Sequence, residues 1–229
     1  MATNPPLVLC DLHLHTHHSW DCTTTVAELV DRALARGLGA IAVTDHNTIA
    51  GGLEAERHVR ELGLPLQVIV GSEIKTASEG EVIGLFLRDQ IPARLSFTET
   101  VEAIHAQGGL VSIPHPFDRL HTTPPEPLLE RHLGAIDLFE TCNARLYFEA
   151  DNRQAAAFAA RHALRVGAGS DAHVPEGVGT GAIRIAPFDD AASFLTAVEG
   201  GEIVRQSRNL LGLQARKWKR QRAKRSVDG

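Results

Sequence analysis

The chain has 229 residues, of which 43% are hydrophobic and 22% charged, and its formal net charge is −5. This composition is typical of a globular protein and excludes a fibrous or disordered one. No run approaches the roughly 18 apolar residues of a membrane span, and the first residues lack the basic and apolar regions of a secretory signal. The three widely spaced cysteines favour reduced thiols over a disulfide framework. We therefore expect a cytoplasmic protein with no membrane partner.

Short apolar runs alternate with amphipathic stretches along the chain. Strands are predicted over residues 7–10, 40–44, 66–70, 81–87, 110–113, 136–140 and 166–169. Helices are predicted over residues 25–36, 49–62, 98–107, 150–162 and 190–199. This alternation, with Leu, Val and Ile on consecutive strand positions, predicts a parallel sheet that is covered on both faces. No linker divides the chain, so we expect one domain over residues 1–213 and a tail over residues 214–229.

The tail is strongly basic. Residues 216–225 hold seven lysines and arginines and no acid, so the rest of the chain is more acidic than the total charge indicates. An acidic body with 12 histidines favours metal binding over a broad nucleic-acid surface. A solvated C-terminal helix is the simpler interpretation of the tail, and a contact with nucleic acid is the alternative.

Residues that can bind metal follow five of the predicted strands. They are Asp11, His13 and His15 after the first, Asp45 and His46 after the second, Glu73 after the third, His115 after the fifth, and Asp171 and His173 after the seventh. The two-residue period of a strand places Asp11, His13 and His15 on one face. Because the carboxyl ends of parallel barrel strands surround one mouth, this pattern predicts a site for Zn²⁺, Mn²⁺ or Fe²⁺. The sequence has no Walker loop, nucleophile elbow or Cys-x-x-Cys pair that would indicate another chemistry.

Five segments carry these residues. They read Asp-Leu-His-Leu-His-Thr-His-His-Ser-Trp-Asp (11–21), Thr-Asp-His-Asn-Thr (44–48), Gly-Ser-Glu-Ile (71–74), Pro-His-Pro-Phe (114–117) and Gly-Ser-Asp-Ala-His (169–173). In their residues and their order along the chain, these segments resemble the motifs of the PHP family, the polymerase and histidinol phosphatase domain. The resemblance covers residues 7–185. The resemblance implies an α/β fold, a distorted (β/α)7 barrel of the TIM type. It also implies a centre of two or three divalent metal ions that hydrolyses phosphate esters.

The resemblance further implies which residues hold each ion. A first ion would lie on His13, His15, Glu73 and Asp171, a second on Glu73 and His115, and a third on Asp21, His46 and His173. The chain departs from the pattern at one place. Many small family members carry a His-x-x-Gly pattern where this chain reads Glu-Val-Ile-Gly, residues 81–84. We include Glu81 as a candidate oxygen ligand that favours a harder ion, with a solvated strand-end acid as the alternative.

This site predicts hydrolysis of a phosphate mono- or diester of a small metabolite, such as a nucleotide. Two metal ions would activate a bridging water for in-line attack on phosphorus. Arg119, Arg145 and Asn143 are the predicted substrate-binding residues, with Arg119 as a fork for the phosphate oxygens. Asp171 or His173 is predicted to protonate the leaving group.

Two other functions fit part of the pattern. A metal-dependent amidohydrolase that cleaves a C–N bond also carries His-x-His at its first strand, and Lys75 near Glu73 would be its lysine ligand. A nuclease of the PHP type would use the basic tail to hold a nucleic-acid strand. The sequence contains no indication of the oligomeric state.

Overall fold

The computed structural model describes residues 6–206 and 209–227, the last four by their backbone alone. Within these residues nine strands form one sheet, which curves into a nearly closed barrel. The strands are β1 (Val8–Leu14), β2 (Ala40–Val43), β3 (Gln67–Lys75), β4 (Glu81–Leu85), β5 (Leu110–Ile113), β6 (Leu138–Asn143), β7 (Val166–Gly169), β8 (Gly181–Ile185) and β9 (Glu202–Arg205). The helices are α1 (Val26–Ala35), α2 (Ala50–Leu62), α3 (Phe97–Ala106), α4 (Glu126–Arg131), α5 (Glu149–Arg161), α6 (Ala191–Val198) and α7 (Leu210–Val227).

The barrel closes between β1 and the end of β7. The sheet order is β7-β6-β5-β4-β3-β2-β1-β8-β9, so β7 is an edge strand. A parallel bridge joins Leu14 to Ala172, just past β7, and the backbone N–H of Asp171 donates to the carbonyl of His13 at 2.8 Å. These bonds bring the first and the last predicted metal-binding motifs together.

The predicted parallel sheet is confirmed only in part, because the sheet is mixed. The β1–β2–β3 and β5–β6–β7 pairings are parallel, but β4 is antiparallel to both β3 and β5, and β8 is antiparallel to β1. The connection between β3 and β4, residues 76–80, is too short for the crossover that parallel strands need. As a result, the first residue of β4, Glu81, lies opposite Lys75 at the carboxyl end of β3.

Three strands continue past their predicted carboxyl ends, namely β1, β3 and β6. β1 continues through His13 with a register shift after Asp11, and β3 continues through Glu73. These side chains therefore lie on hydrogen-bonded strand backbone and not in loops beyond it. β8, β9 and α4 were not predicted.

Helix boundaries follow capping residues that the sequence contains. Thr25 and Ser96 each form a capping box, with Glu28 and Glu99 respectively, at the starts of α1 and α3. α2 ends at Gly63, whose φ of 59° lies in the left-handed region that favours glycine. The five predicted helices, which correspond to α1, α2, α3, α5 and α6, begin and end within one or two residues of the predicted positions.

Three hydrophobic clusters surround and fill the barrel. One takes a side chain from each of the strands β1 to β8 and is covered by Phe194 of α6, so it fills the barrel interior. The second packs α3 and α5 on the sheet, with Phe139 and Phe158 stacked at 5.1 Å between ring centroids, and the third packs α1 and α2. Because the interior is solid below, the polar cluster lies at the mouth above it.

Helix α7 contains most of the predicted basic tail and packs on the barrel. The guanidinium of Arg220 donates to both carboxylate oxygens of Glu28 at 2.7 and 2.8 Å, and that of Arg216 donates to Glu176 at 2.8 Å. None of the described helices combines the length and the apolar character that a membrane span requires. The domain boundary at residue 213 stays a prediction, and residues 228–229 lie outside the described residues.

Candidate metal centre

The predicted metal-binding residues converge at one mouth of the barrel. His13, Glu73 and Glu81 lie on strands, and the other predicted ligands lie in the turns that follow strands. Their donor atoms form overlapping groups within 4.8 Å: His15, His46 and His173; His13, His115 and Asp171; His13, His15 and Glu73; and His46, Glu73 and Glu81. The cluster is buried apart from His46 and Glu81, which are partly buried. One shared site therefore gathers side chains from across the chain.

Glu73 is the central carboxylate of this cluster. Its Oε1 lies 3.1 Å from Nε2 of His115 and 3.5 Å from Nε2 of His13. Its Oε2 lies 3.0 Å from Nδ1 of His46 and 3.5 Å from Nε2 of His15. Each oxygen faces two imidazoles, an arrangement in which one carboxylate can contribute to two metal ions.

Asp171 is the second carboxylate in contact with the clustered imidazoles. Its Oδ1 lies 3.3 Å from Nε2 of His15 and 3.2 Å from the guanidinium of Arg145. The backbone of Asp171 has a φ of 50° and that of His115 a φ of 26°, both in the left-handed region that ordinary side chains rarely adopt. Such strained positions persist where the surrounding structure holds them, and both here direct a side chain into the cluster.

Asp21 forms the third corner. Its Oδ2 lies 3.0 Å from Nε2 of His173, and its Oδ1 lies 3.4 Å from Nε2 of His46. The ammonium of Lys217, on α7, lies 2.6 Å from the same Oδ2. Sequence reasoning placed Lys217 in a solvated tail and missed this contact, because nothing local indicates where a C-terminal helix will pack.

Glu140 was also missed. It ends the predicted sixth strand, and its Oε1 lies 3.1 Å from Nδ1 of His13 while its Oε2 accepts the backbone N–H of His115 at 2.6 Å. A carboxylate on the remote nitrogen of a metal-binding imidazole fixes the ring and raises its basicity. The position of Glu140 at a strand end was a signal that could have been used.

Two buried aspartates support the cluster from below. Asp11 accepts backbone N–H groups of Ser170 and Gly179 at 2.9 Å each, and so holds the turn after β7. Asp45 accepts from the hydroxyl of Ser19 at 2.6 Å, and that hydroxyl lies 3.2 Å from Nδ1 of His15. Asp11 therefore orients backbone, and Asp45 orients an imidazole through Ser19.

The clustered groups shift one another's pKa values. Burial opposes protonation of His46, but the carboxylates of Asp21 and Glu73 outweigh burial and raise its pKa to about 10. Burial also opposes protonation of His115, but the carboxylate of Glu73 outweighs it and raises the pKa of His115 to about 9. Burial and neighbouring imidazoles lower the pKa of His15 to about 3. Burial opposes ionisation of Glu73, yet the imidazoles hold its pKa well below its ordinary value. The raised pKa values mean that these imidazoles carry protons in the metal-free protein, and a bound metal ion would replace those protons.

The donor set fits divalent metal ions. In the described part of the chain, several buried ring nitrogens and one carboxylate oxygen at this mouth make no well-aligned hydrogen bond, although some lie close to an oppositely charged group: Nε2 of His13, His15 and His173, Nδ1 of His115, and Oδ1 of Asp21. Buried polar atoms are costly when unpaired, and coordination of an ion would satisfy atoms of this kind. Imidazole and carboxylate together are the donors of zinc, manganese and iron sites.

Glu81 lies beside the cluster, where the antiparallel β4 carries it. Its carboxylate is within 4.8 Å of donor atoms of His46 and Glu73. Burial, and then the charge of Glu73, raise the pKa of Glu81. The position suits an oxygen ligand, and the assignment stays a prediction.

The predicted substrate-binding residues are placed differently from one another. Arg145 lines a cavity of about 410 Å³ at the mouth together with Trp20, Glu73 and Lys217. The structure does not bring Arg119 there, because its guanidinium donates to Asp151 at 2.5 and 3.0 Å and lies over the ring of Phe148.

Asn143 is buried beside the cluster, and His121 lies on the wall of the cavity. Asn143 is buried, and its amide donates to Glu140 at 3.0 Å and to Asp171 at 3.3 Å, so it holds carboxylates in place. His121, which lies outside the predicted motifs, lines the cavity and pairs with Asp118 at 2.5 Å. Lys75 is exposed at the end of β3 and also lines the cavity.

Comparison with known sequences supports the same family. The PHP domain model matches residues 11–161, and the model of the PHP-associated region matches residues 149–203. An uncharacterised protein of Methanocaldococcus jannaschii is 31% identical over 183 residues, which cover 78% of this chain and 71% of that protein. The 5'-3' exoribonuclease Rnm of Salmonella typhimurium is 36% identical over 109 residues, 46% of this chain. The match spans only 37% of that exoribonuclease.

Solved structures share the fold. A two-domain protein from Bacteroides vulgatus that contains a predicted PHP-like metal-dependent phosphoesterase has a TM-score of 0.69 and 21% identity, over 94% of this chain and 72% of that one. PsfC from Pseudomonas syringae has a TM-score of 0.72 and 18% identity, over 96% of this chain and 100% of that one. These likenesses confirm the predicted α/β barrel. Because the PHP domain model matches more than half of the chain, this protein belongs to the PHP domain family.

Proposed function

We propose that this protein hydrolyses a phosphate mono- or diester of a small metabolite, such as a nucleotide. The observation that carries the proposal is the position of Glu73, whose two oxygens each face two imidazoles at a mouth that also holds Arg145. A carboxylate shared in this way suits a centre of more than one ion, and an arginine beside it suits an anionic substrate.

Two or three divalent ions, zinc, manganese or iron, would be held by the residues of the cluster. His13, His15, Glu73 and Asp171 would hold one, Glu73 and His115 with Glu81 a second, and Asp21, His46 and His173 a third. Such ions, when bound, lower the pKa of water and neutralise charge on the phosphoryl oxygens. Glu140 and Ser19 would hold His13 and His15 in the orientation that binding requires.

The chain's own groups would bind the ester and handle the proton. Arg145 faces the cavity and can pair with a phosphoryl oxygen. Asp171 is ill suited to donate a proton, because Arg145 and His13 outweigh the effect of burial and hold its pKa well below the ordinary value. His173 is also poorly placed to donate a proton, because it is buried against Asp21. His121, half-exposed on the cavity wall and paired with Asp118, is better placed to protonate a leaving group.

Reconstitution with defined metals tests the proposal. Metal-free protein would be loaded separately with zinc, manganese and iron, and each form assayed on a panel of phosphate monoesters and diesters. Glu73→Gln should lose bound metal and at least about 100-fold of the activity together, the size expected when a central electrostatic group is removed. Glu61→Gln, on the exposed surface of α2, is the matched control. A Glu73→Gln variant that keeps full activity without metal would contradict the proposal.

A second candidate is hydrolysis of single-stranded nucleic acid. Two exposed indoles, Trp20 and Trp218, line the same cavity, and α7 carries basic residues beside it. Aromatic rings that stack on bases, combined with cations that track phosphates, are typical of single-strand binding. The candidate predicts oligonucleotide affinity that falls steeply with salt and falls again in Trp218→Ala. Affinity unchanged by deletion of the segment after Leu213 would exclude it.

The expected site of action is the cytoplasm. Cys10 and Cys22 are buried thiols, and burial raises their pKa values to about 12 and about 11. Protonated thiols of this kind persist in a reducing compartment. Fractionation of cells that produce the protein would test the location.

A further inference from the structure

Helix α7 forms a wall of the candidate active site, although it lies beyond the residues that the family models match, which end at residue 203. Lys217 is 8% exposed, and its ammonium lies 2.6 Å from Oδ2 of Asp21. The side-chain amide of Gln221 donates to the backbone carbonyl of Asp21 at 2.6 Å. Two residues one turn apart on α7, Lys217 and Gln221, therefore both contact Asp21. These contacts hold Lys217 at the mouth, unlike an ordinary surface lysine.

Another cation, the guanidinium of Arg145, lies near Lys217. Arg145 lines the same cavity, and its guanidinium pairs with Asp171 at 3.2 Å. Two cations, from the segment after β6 and from α7, thus lie close together at the mouth. Each of them faces an aspartate of the candidate metal centre.

When metal ions are bound at the centre, this arrangement leaves the positive charges of Arg145 and Lys217 free to contact an anion. Like charges in a partly desolvated position repel and need an anion nearby. Asp21 and Asp171 supply that anion here, but both are also in the proposed ligand set, and a metal ion would share their negative charge. A phosphoryl group, with several oxygens, could then accept from Arg145 and Lys217 together.

We propose that Lys217 and Arg145 form a two-cation clamp for the phosphoryl group of the substrate, so that α7 completes the active site. The inference rests on the proposed function, since it assigns the phosphate subsite of that reaction. It makes Lys217 a substrate-binding residue and gives the basic C-terminal helix a specific role.

The test is direct binding of inorganic phosphate to the metal-loaded protein by calorimetry, with metal content measured by elemental analysis on the same samples. Lys217→Met keeps the length of the side chain and removes its charge. It should weaken phosphate binding by about 10-fold or more, the loss expected for one charged hydrogen bond, with metal content unchanged. Lys217→Arg keeps the positive charge and should therefore retain more phosphate affinity than Lys217→Met. Lys219→Met, an exposed lysine on the same helix, is the matched control.

Three results would overturn the inference. Unchanged phosphate affinity in Lys217→Met would do so directly. A change in metal content that accounts for the change in phosphate affinity would show that Lys217 acts through Asp21. An equal loss in Arg220→Gln, which weakens the contact of α7 with Glu28, would show that only the position of the helix matters. If phosphate binding depends on Lys217 but no phosphate ester is hydrolysed, the clamp stands and the proposed function fails.

Discussion

Nδ1 of His13 lies 3.1 Å from Oε1 of Glu140, and this contact joins β1 to β6 beneath the candidate metal centre. The other oxygen of Glu140 accepts the backbone N–H of His115 at 2.6 Å and the amide of Asn143 at 3.0 Å. One buried carboxylate thus positions two of the candidate ligands. It acts behind the cluster, where it is hydrogen-bonded on both oxygens.

Glu140→Gln should therefore weaken metal binding without unfolding the protein. An amide keeps the size of the side chain but cannot supply the negative charge that makes His13 a stronger donor. We expect a 10- to 100-fold loss of metal affinity, roughly the effect of losing an outer partner of a ligand. Competition with a chromophoric chelator measures it. Glu102→Gln on the exposed face of α3 should bind as the wild type does, and equal affinities in all three proteins would argue against this role.

Substitution of Glu81 should change which metal the site prefers. Glu81→His restores the imidazole of the His-x-x-Gly pattern, and imidazole suits zinc better than a carboxylate does. We expect the ratio of zinc to manganese bound from an equimolar mixture to rise in Glu81→His, and total metal to fall in Glu81→Gln. Elemental analysis of the dialysed proteins gives both values. If neither variant changes metal content or ratio, Glu81 is a solvated strand-end acid.

Metal affinity should rise with pH. The imidazoles of His46 and His115 have pKa values raised to about 10 and about 9 in the metal-free protein, so they hold protons at neutral pH. A metal ion must displace these protons, and binding becomes easier as the pH approaches the raised values. Calorimetry in buffers of different ionisation enthalpy should show proton release at neutral pH and less release near pH 9. Binding without proton release at neutral pH would show that these imidazoles are already neutral.

Gly169→Ala should disrupt the junction between β7 and β1. A Cβ at this position would lie 2.2 Å from Cβ of His13 and 2.9 Å from its backbone nitrogen, so a strand must move. Overpacking of this kind costs roughly 1–3 kcal/mol of unfolding free energy, and the shift of His13 should reduce metal binding as well. Urea denaturation and metal analysis check the two effects. Gly134→Ala has open space around its Cβ and should match the wild type.

Local patterns in the sequence were sufficient for much of the fold. Continuous apolar runs predicted seven strands, and amphipathic stretches predicted five helices, whose ends the structure places at capping residues such as Thr25, Ser96 and Gly63. These features depend on neighbours along the chain, because strand period and helix caps are set within a few residues. The convergence of His13, His15, Glu73 and His115 was likewise predictable, since strand ends of a barrel meet at one mouth.

Tertiary packing decided the rest of the site. The antiparallel direction of β4 places Glu81 at the mouth, the pairing with Asp151 keeps Arg119 away from it, and the packing of α7 brings Lys217 to Asp21. Each of these depends on residues far apart in sequence. A hydrogen bond or ion pair between such residues is selected by how whole elements pack, and no local pattern records it. The sequence by itself determined that a metal cluster of PHP type could form, and the tertiary structure decided which cations surround it.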